Sequence, residues 1–147
     1  MAYLPDGLPL PDTSEIDTKE WWAACARREF VMQQCKKCST YRYPPAPVCF
    51  HCRSFEFTWT RAEGKGYVYS YIITHHAVHA ALKGRAPYNA AVIELPHLNV
   101  RMVGNIIDAK NEELYVGMPV KLTWEEREGV SLPQWLKDPH GVPRRIR

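Results

Sequence analysis

The sequence predicts a mainly β protein with a single N-terminal helix, and three observations carry that prediction. Two Cys-x-x-Cys pairs, Cys35/Cys38 and Cys49/Cys52, are separated by ten residues. After residue 62, short runs of aromatic and β-branched residues alternate with turn residues. Helical spacing of apolar residues occurs only ahead of the first cysteine pair. Together these patterns predict a helix, a small ribbon pinned by a metal, and a barrel of short strands.

Residues 1–29 are predicted to form an extended arm followed by the helix. Asp17, with Glu20 three residues later, is typical of a helix N-cap. Trp21 and Trp22 follow directly. Neighbouring helical residues point about 100° apart, so both rings cannot lie on one narrow stripe. Either the helix is wedged between two surfaces, or one tryptophan faces a partner or ligand.

Residues 30–61 are predicted to be a ribbon, with strands at 30–34 and 55–60 around the cysteines. Four thiolates at this spacing can close a tetrahedron around Zn²⁺, and a site with four cysteines is structural because it has no open position. Rubredoxin-type iron and a pair of disulfides are the alternatives. The predicted unit is therefore a rubredoxin-like zinc ribbon, with His51 facing solvent. Its ligands are Cys35, Cys38, Cys49 and Cys52.

Residues 62–136 have the pattern of a small closed barrel, for which the OB-fold is the commonest solution. The predicted strands are 67–74, 88–95, 100–107, 120–125 and 129–135. Residues 137–147 are predicted to be a C-terminal tail carrying Arg144, Arg145 and Arg147.

Composition narrows the functional classes. The formal charge of +3 falls to about +1 once four thiolates and Zn²⁺ are counted, which disfavours nucleic acid as the partner. No apolar run is long enough for a membrane span. The first fourteen residues lack the basic start and apolar stretch of a signal peptide, so we expect a reducing, cytoplasmic location and disfavour the disulfides.

The loop at 75–87 concentrates polar side chains that could bind an anion such as the pyrophosphate of a nucleotide-tailed cofactor. A second metal, a histidine general base and a plain solvated loop are the alternatives. Adjacent strand residues point to opposite faces, so His75 and His76 cannot easily share a metal. No G-x-S-x-G, P-loop, G-x-G-x-x-G helix start or H-E-x-x-H occurs. We therefore do not expect a self-sufficient enzyme.

The order of these parts resembles the DUF35 family. The motifs that carry the resemblance are Trp21-Trp22-Ala-Ala, Gln34-Cys35, Pro44-Pro45 before Cys49-x-x-Cys52, Gly64-Lys-Gly66-Tyr-Val-Tyr-Ser-Tyr71, Pro87-Tyr88, Val116-Gly-Met-Pro-Val120 and Gly129-Val130. The likeness runs from about residue 18 to about residue 135. It implies a zinc ribbon joined to an OB-fold.

The resemblance also implies a function, that of a non-catalytic accessory subunit. Such a subunit would bind a thiolase-superfamily partner and help bind or channel acyl-CoA during carbon–carbon bond cleavage or formation. The candidate acyl-CoA-binding residues are Tyr71, His75, His76, Lys83, Arg85 and Tyr88. Tryptophan is enriched at binding hot spots, so the candidate interface residues are Trp21, Trp22 and Trp135. A single-stranded nucleic-acid-binding module and a stand-alone hydratase or thioesterase remain as alternatives.

Overall fold

The computed structural model describes residues 3–145. Residues 1, 2, 146 and 147, including the predicted tail residue Arg147, lie outside that range. The elements in chain order are α1 (Lys19–Ala26), β1 (Val31–Cys35), β2 (Tyr41–Arg42), β3 (Phe57–Arg61), β4 (Lys65–Thr74), β5 (Tyr88–Leu95), β6 (Val100–Gly104), β7 (Pro119–Arg127) and β8 (Val130–Lys137). Short 3₁₀ turns lie at Ala80–Leu82 and Asn111–Glu113. The mainly β class with one N-terminal helix is confirmed.

The helix begins later than its sequence signal suggests. Thr18 is the N-cap residue, and no side chain caps the first turn, so the predicted Asp17 cap is wrong. The carboxylate of Glu20 instead accepts a 2.6 Å hydrogen bond from Trp59 Nε1 in β3. The Glu20 carboxylate therefore bonds to β3 and does not form the predicted capping box.

The helix packs against both β1 and β8, as expected for a helix wedged between two surfaces. Trp21 is buried against the ring of Trp22 in an edge-to-face contact with centroids 4.7 Å apart. Trp22 is half-buried. The two residues thus differ in burial although their rings are in contact.

The ribbon is a three-stranded antiparallel sheet with the order β2-β1-β3. Gln33 in β1 pairs with both Arg42 in β2 and Trp59 in β3. Across the first pair, Arg42 Nε donates to the side-chain oxygen of Gln33 at 2.6 Å, and both side chains are buried. This polar contact fixes the register of the two short strands beneath the cysteine cluster.

The barrel is a five-stranded antiparallel sheet with the order β6-β5-β4-β7-β8. It carries a bulge in β4 between Val68 and Ser70. The sheet curls until the segment after β6 meets β8. There, Trp135 N donates to Asn105 O at 3.0 Å, and Ile107 N donates to Trp135 O at 2.9 Å. The closure confirms the OB-fold.

One hydrophobic core joins the helix, the ribbon and the barrel. Phe30, just ahead of β1, packs edge-to-face on Trp135 with ring centroids 6.2 Å apart. The predicted domain limits at 30–61 and 62–136 stay a prediction. Beyond β8, Arg144 N donates to Gly117 O at 3.0 Å, so the tail returns along the barrel. No helix in the described part of the chain is both long and apolar enough to span a bilayer.

Candidate functional site

The four cysteines of the two Cys-x-x-Cys pairs meet at one point. Their sulfur atoms all lie within 4.8 Å of one another. The Cys35 and Cys52 sulfurs are 3.5 Å apart, and the Cys38 and Cys49 sulfurs are 3.6 Å apart. Tetrahedral Zn–S bonds of about 2.3 Å place sulfurs about 3.8 Å apart. The cluster therefore has the size that a Zn²⁺ ion requires.

Local hydrogen bonds favour thiolates in this cluster. The backbone N–H of Cys52 lowers the pKa of the Cys49 thiol to about 6. The Thr40 hydroxyl lies 3.2 Å from the Cys38 sulfur and lowers the pKa of that thiol as well. Hydrogen bonds to the charged form stabilise it. One thiol of each pair is thereby favoured as the thiolate, the form that binds a metal. The Cys52 thiol differs: the backbone N–H of Ser54 lowers its pKa, but burial and the sulfurs of the other three cysteines outweigh that effect and raise the pKa to about 11. Binding of Zn²⁺ would displace that proton.

The donor set fits a structural zinc ion and gives it no catalytic role. All four cysteines are free thiols rather than disulfides. When bound, the ion would cross-link the two pairs and leave no position open for substrate. His51 is exposed, as predicted for a residue that does not bind the metal.

The structure brings together only two of the six candidate acyl-CoA residues. Arg85 and Tyr88 line a cavity of about 400 Å³, and the other four do not. The Tyr71 hydroxyl donates to Leu114 O at 2.9 Å. His75, His76 and Lys83 are exposed on the loop.

The cavity has walls that the sequence did not point to. The N-terminal arm (residues 3–13) supplies Tyr3, Leu4 and Leu8, and the turn after β6 supplies Ala109 and Lys110. Leu82 from the loop at 75–87 completes the apolar lining. The sequence of the arm shows no periodic pattern, so only its docking on the barrel reveals that it lines a cavity. We call this space the arm cavity.

Two of the three candidate interface tryptophans need correction. Trp21 is 2% exposed and Trp135 is 0% exposed. Their side chains fill the core and cannot contact a partner directly. Trp22 is half-buried, so its place at an interface stays a prediction.

The barrel exposes apolar surface elsewhere. Ile72 of β4 lies opposite Ala90, and Val92 lies opposite Val103 of β6. Residues directly opposite in an antiparallel pair share a face. Ile72 is 63% exposed and Val103 68% exposed. These four residues form an outer stripe across β4, β5 and β6.

Two family profiles match consecutive parts of the chain. The profile described as "ChsH2, rubredoxin-like zinc ribbon domain" matches residues 22–58. The profile described as "ChsH2, C-terminal OB-fold domain" matches residues 59–125. The ribbon match includes all four clustered cysteines and supports structural zinc over the iron alternative.

Three relatives are similar to the chain in sequence. A "Probable enoyl-CoA hydratase alpha subunit" of Thermomonospora curvata is 40% identical over 76% of this chain and 34% of its own length. A "DUF35 domain-containing scaffold protein" of Methanocaldococcus jannaschii is 40% identical over 70% of this chain and 72% of its own length. A "3-oxo-4,17-pregnadiene-20-carboxyl-CoA hydratase alpha subunit" of Mycobacterium tuberculosis is 31% identical over 91% of this chain and 42% of its own length. The chain thus spans less than half the length of each hydratase subunit.

A solved structure agrees with these matches. In "Ltp2-ChsH2(DUF35) aldolase", one chain superposes with a TM-score of 0.78 at 37% identity, covering 87% of this chain and 98% of that one. The paired profiles describe the ribbon and the barrel, and the scaffold relative and this structure both carry the DUF35 name. The chain belongs to the DUF35 family.

Proposed function

We propose that this chain is a non-catalytic accessory subunit that binds a thiolase-superfamily partner in the cytoplasm. In that complex it would help bind or channel acyl-CoA during carbon–carbon bond cleavage or formation. The observation that carries the proposal is the likeness to the chain of the "Ltp2-ChsH2(DUF35) aldolase", of which 98% is covered at 37% identity. The scaffold relative supports the accessory role.

The chemistry of the chain agrees with such a role. The cysteine cluster is coordinatively closed once it holds zinc. Burial raises the pKa of the fifth thiol, Cys25, to about 12, which keeps it protonated and unreactive. His79 Nδ1 accepts a hydrogen bond from the backbone of Ala81, so this nitrogen caps a turn.

The outer stripe offers the partner a docking surface. Ile72 and Val103 place exposed apolar side chains on one face of the barrel, where contiguous apolar surface marks interaction sites. Trp22 is the remaining tryptophan candidate. Acyl-CoA contact is proposed for Arg85 and Tyr88, which line the arm cavity.

Co-expression with a thiolase-superfamily protein from the same genome tests the proposal. We expect the two chains to elute together in size-exclusion chromatography, and we expect thioester turnover only from the complex. A chain that stays alone, or that turns over a thioester by itself at an enzymatic rate, would refute the accessory role.

A hydratase complex is the second candidate, because two relatives are named as hydratase alpha subunits. Those proteins are much longer than the region shared with this chain, so a hydratase partner would have to supply the rest of the fold. Parallel co-expression with a hydratase subunit separates the two candidates by which partner is retained.

A further inference from the structure

The arm cavity has the size and lining of a small-molecule site. Its volume is about 400 Å³, within the range of roughly 300–1,000 Å³ that is usual for ligand pockets. The apolar walls come from three separate segments, represented by Leu4, Leu82 and Ala109. A space built from such distant segments forms only when the arm lies on the barrel.

The polar groups of the cavity favour a ligand with an acidic or acceptor end. Arg85 and Lys110 place two cations in the lining, against the single carboxylate of Glu112. Within residues 3–145, neither cation forms an ion pair. The Asn111 amide already donates to Pro87 O at 3.1 Å. Both cations therefore keep N–H groups for a ligand oxygen, although Arg85 also donates one of its N–H groups to Tyr3 O.

Buried charges on β7 hold the arm in place. The carboxylate of Glu125 accepts a 2.7 Å hydrogen bond from Leu4 N. Arg127 donates to Leu4 O and, at 2.8 Å, to Pro5 O. It also forms a 3.2 Å ion pair with Asp6. Both β7 side chains are 5% exposed, and a buried charge without partners is costly, so these contacts favour the docked arm.

The opposite side of the cavity is tied to the same arm. Arg85 donates to Tyr3 O, and its guanidinium lies 5.3 Å from the centre of the Tyr3 ring. Arg85 thus both lines the cavity and positions the arm that forms one of its walls. A ligand oxygen that binds Arg85 would therefore also change how firmly Arg85 holds the arm.

We propose that the arm cavity binds the acyl group of the thioester, with its carbonyl or carboxylate oxygen facing Arg85 and Lys110 and with the arm as a wall fixed by Glu125 and Arg127. This assignment rests on the proposed function and makes it more specific, because it places the acyl group rather than the nucleotide on this chain. The shared chemistry is an apolar chain that ends in an acceptor oxygen, from either a free acid or a thioester.

Calorimetric titration of the zinc-loaded full chain tests the assignment with three probes: decanoate, decanoyl-CoA and CoA. We expect both acyl probes to bind and CoA to bind at least about tenfold more weakly, a difference of about 1.4 kcal/mol. Comparing decanoate with decanoyl-CoA distinguishes the free acid from the thioester as the preferred form. Equal binding of CoA and decanoyl-CoA, or no binding of either acyl probe, would overturn the assignment.

Leu82→Asp removes an apolar wall and adds a like charge, so we expect about tenfold weaker decanoate binding. Ala80→Asp is the matched control, because Ala80 lies in the same 3₁₀ turn and outside the cavity lining. Equal weakening by both changes would contradict a cavity site. Both positions lie on a surface loop, and the zinc content and melting temperature of each variant verify its fold.

Hydrogen exchange in the arm provides a second readout. Decanoate should slow amide hydrogen exchange at Leu4, whose N–H is bonded to Glu125, and should leave exchange in the ribbon unchanged. Arg127→Gln should speed exchange in the arm and weaken decanoate several-fold, whereas Arg28→Gln, which loses only a surface ion pair with Glu126, should do neither. Unchanged arm exchange on ligand addition would refute the arm as a wall.

Failure of this assignment is distinguishable from failure of the proposed function. Assembly with the thiolase-superfamily partner depends on other surfaces, so a chain that binds no acyl probe can still co-purify. Loss of assembly with retained decanoate binding would instead disprove the accessory role and leave the cavity site standing.

Discussion

Trp21 Nε1 donates a 3.0 Å buried hydrogen bond to the carbonyl oxygen of Val31. The bond ties α1 to the first strand of the ribbon at Val31, the residue where that strand begins. A buried indole N–H needs such a partner. The contact explains why Trp21 serves the fold rather than an interface.

Loss of one sulfur should unfold the ribbon. Cys38→Ser removes a thiolate from the cluster, so we expect zinc content to fall below one equivalent and exchange protection to be lost in residues 31–61. Metal analysis and hydrogen exchange measure both effects. Cys25→Ala is the control, since Cys25 lies outside the cluster and its variant should keep zinc. A Cys38→Ser protein with full zinc and unchanged melting would contradict the metal assignment.

Thiol reactivity should separate the five cysteines into two classes. Burial raises the pKa of Cys25 to about 12, and zinc protects the other four, so iodoacetamide at pH 8 should label none in the native protein. Chelation should expose four sites to labelling, and denaturation the fifth. Mass spectrometry counts the labels. Early labelling of Cys25 in the native protein would show that its burial is wrong.

The same thiol should make stability depend on pH in the alkaline range. In the unfolded chain this thiol ionises near its ordinary pKa of 9.0, whereas burial raises its pKa in the native protein to about 12. The unfolded state then binds fewer protons, so stability should fall as pH rises between these values. Thermal melting of the wild type and of Cys25→Ala checks the effect, which should be smaller in the variant.

Gly117 should tolerate no side chain. Its φ is +89°, and an added Cβ would collide with the backbone of Arg144. Gly117→Ala should therefore destabilise the fold by at least about 1–3 kcal/mol, as measured by denaturant unfolding. Gly84→Ala is the matched control, because nothing lies within 4 Å of an added Cβ there. It should be neutral or stabilising by up to about 1 kcal/mol.

Partner affinity and stability should respond to different residues. Val103→Asp places a charge on the outer stripe and should weaken partner binding at least about tenfold, with an unchanged melting temperature, because Val103 is 68% exposed. Trp135→Ala should cost about 3–5 kcal/mol of stability, because its side chain fills the core. Surface plasmon resonance against the partner and thermal melting measure the two effects.

Normal partner binding by the Val103→Asp variant would place the interface elsewhere on the chain. If Val103→Asp binds the partner normally, the outer stripe is not the docking surface. Val92→Asp then provides a second test on the same face. If both variants bind normally, the interface would instead lie at Trp22 and the surface beside the helix.

Local sequence determined the class of fold and the metal cluster. Two cysteines three positions apart bring their sulfurs to one point within a single turn of chain, so the spacing alone predicts the site. The strand at Tyr88–Leu95 matches its predicted bounds, because a loop ending at Pro87 and a turn beginning at Pro96 flank it in the sequence.

Tertiary structure alone decided where the arm lies and what the tryptophans do. The arm docks through backbone groups that bind Glu125 and Arg127, and backbone groups carry no sequence signal. Trp21 and Trp135 look like interface residues in the sequence, since a tryptophan has the same chemistry in a core and at a surface. Only the packing of the helix on β1 and β8, and of Phe30 on Trp135, shows that both are buried.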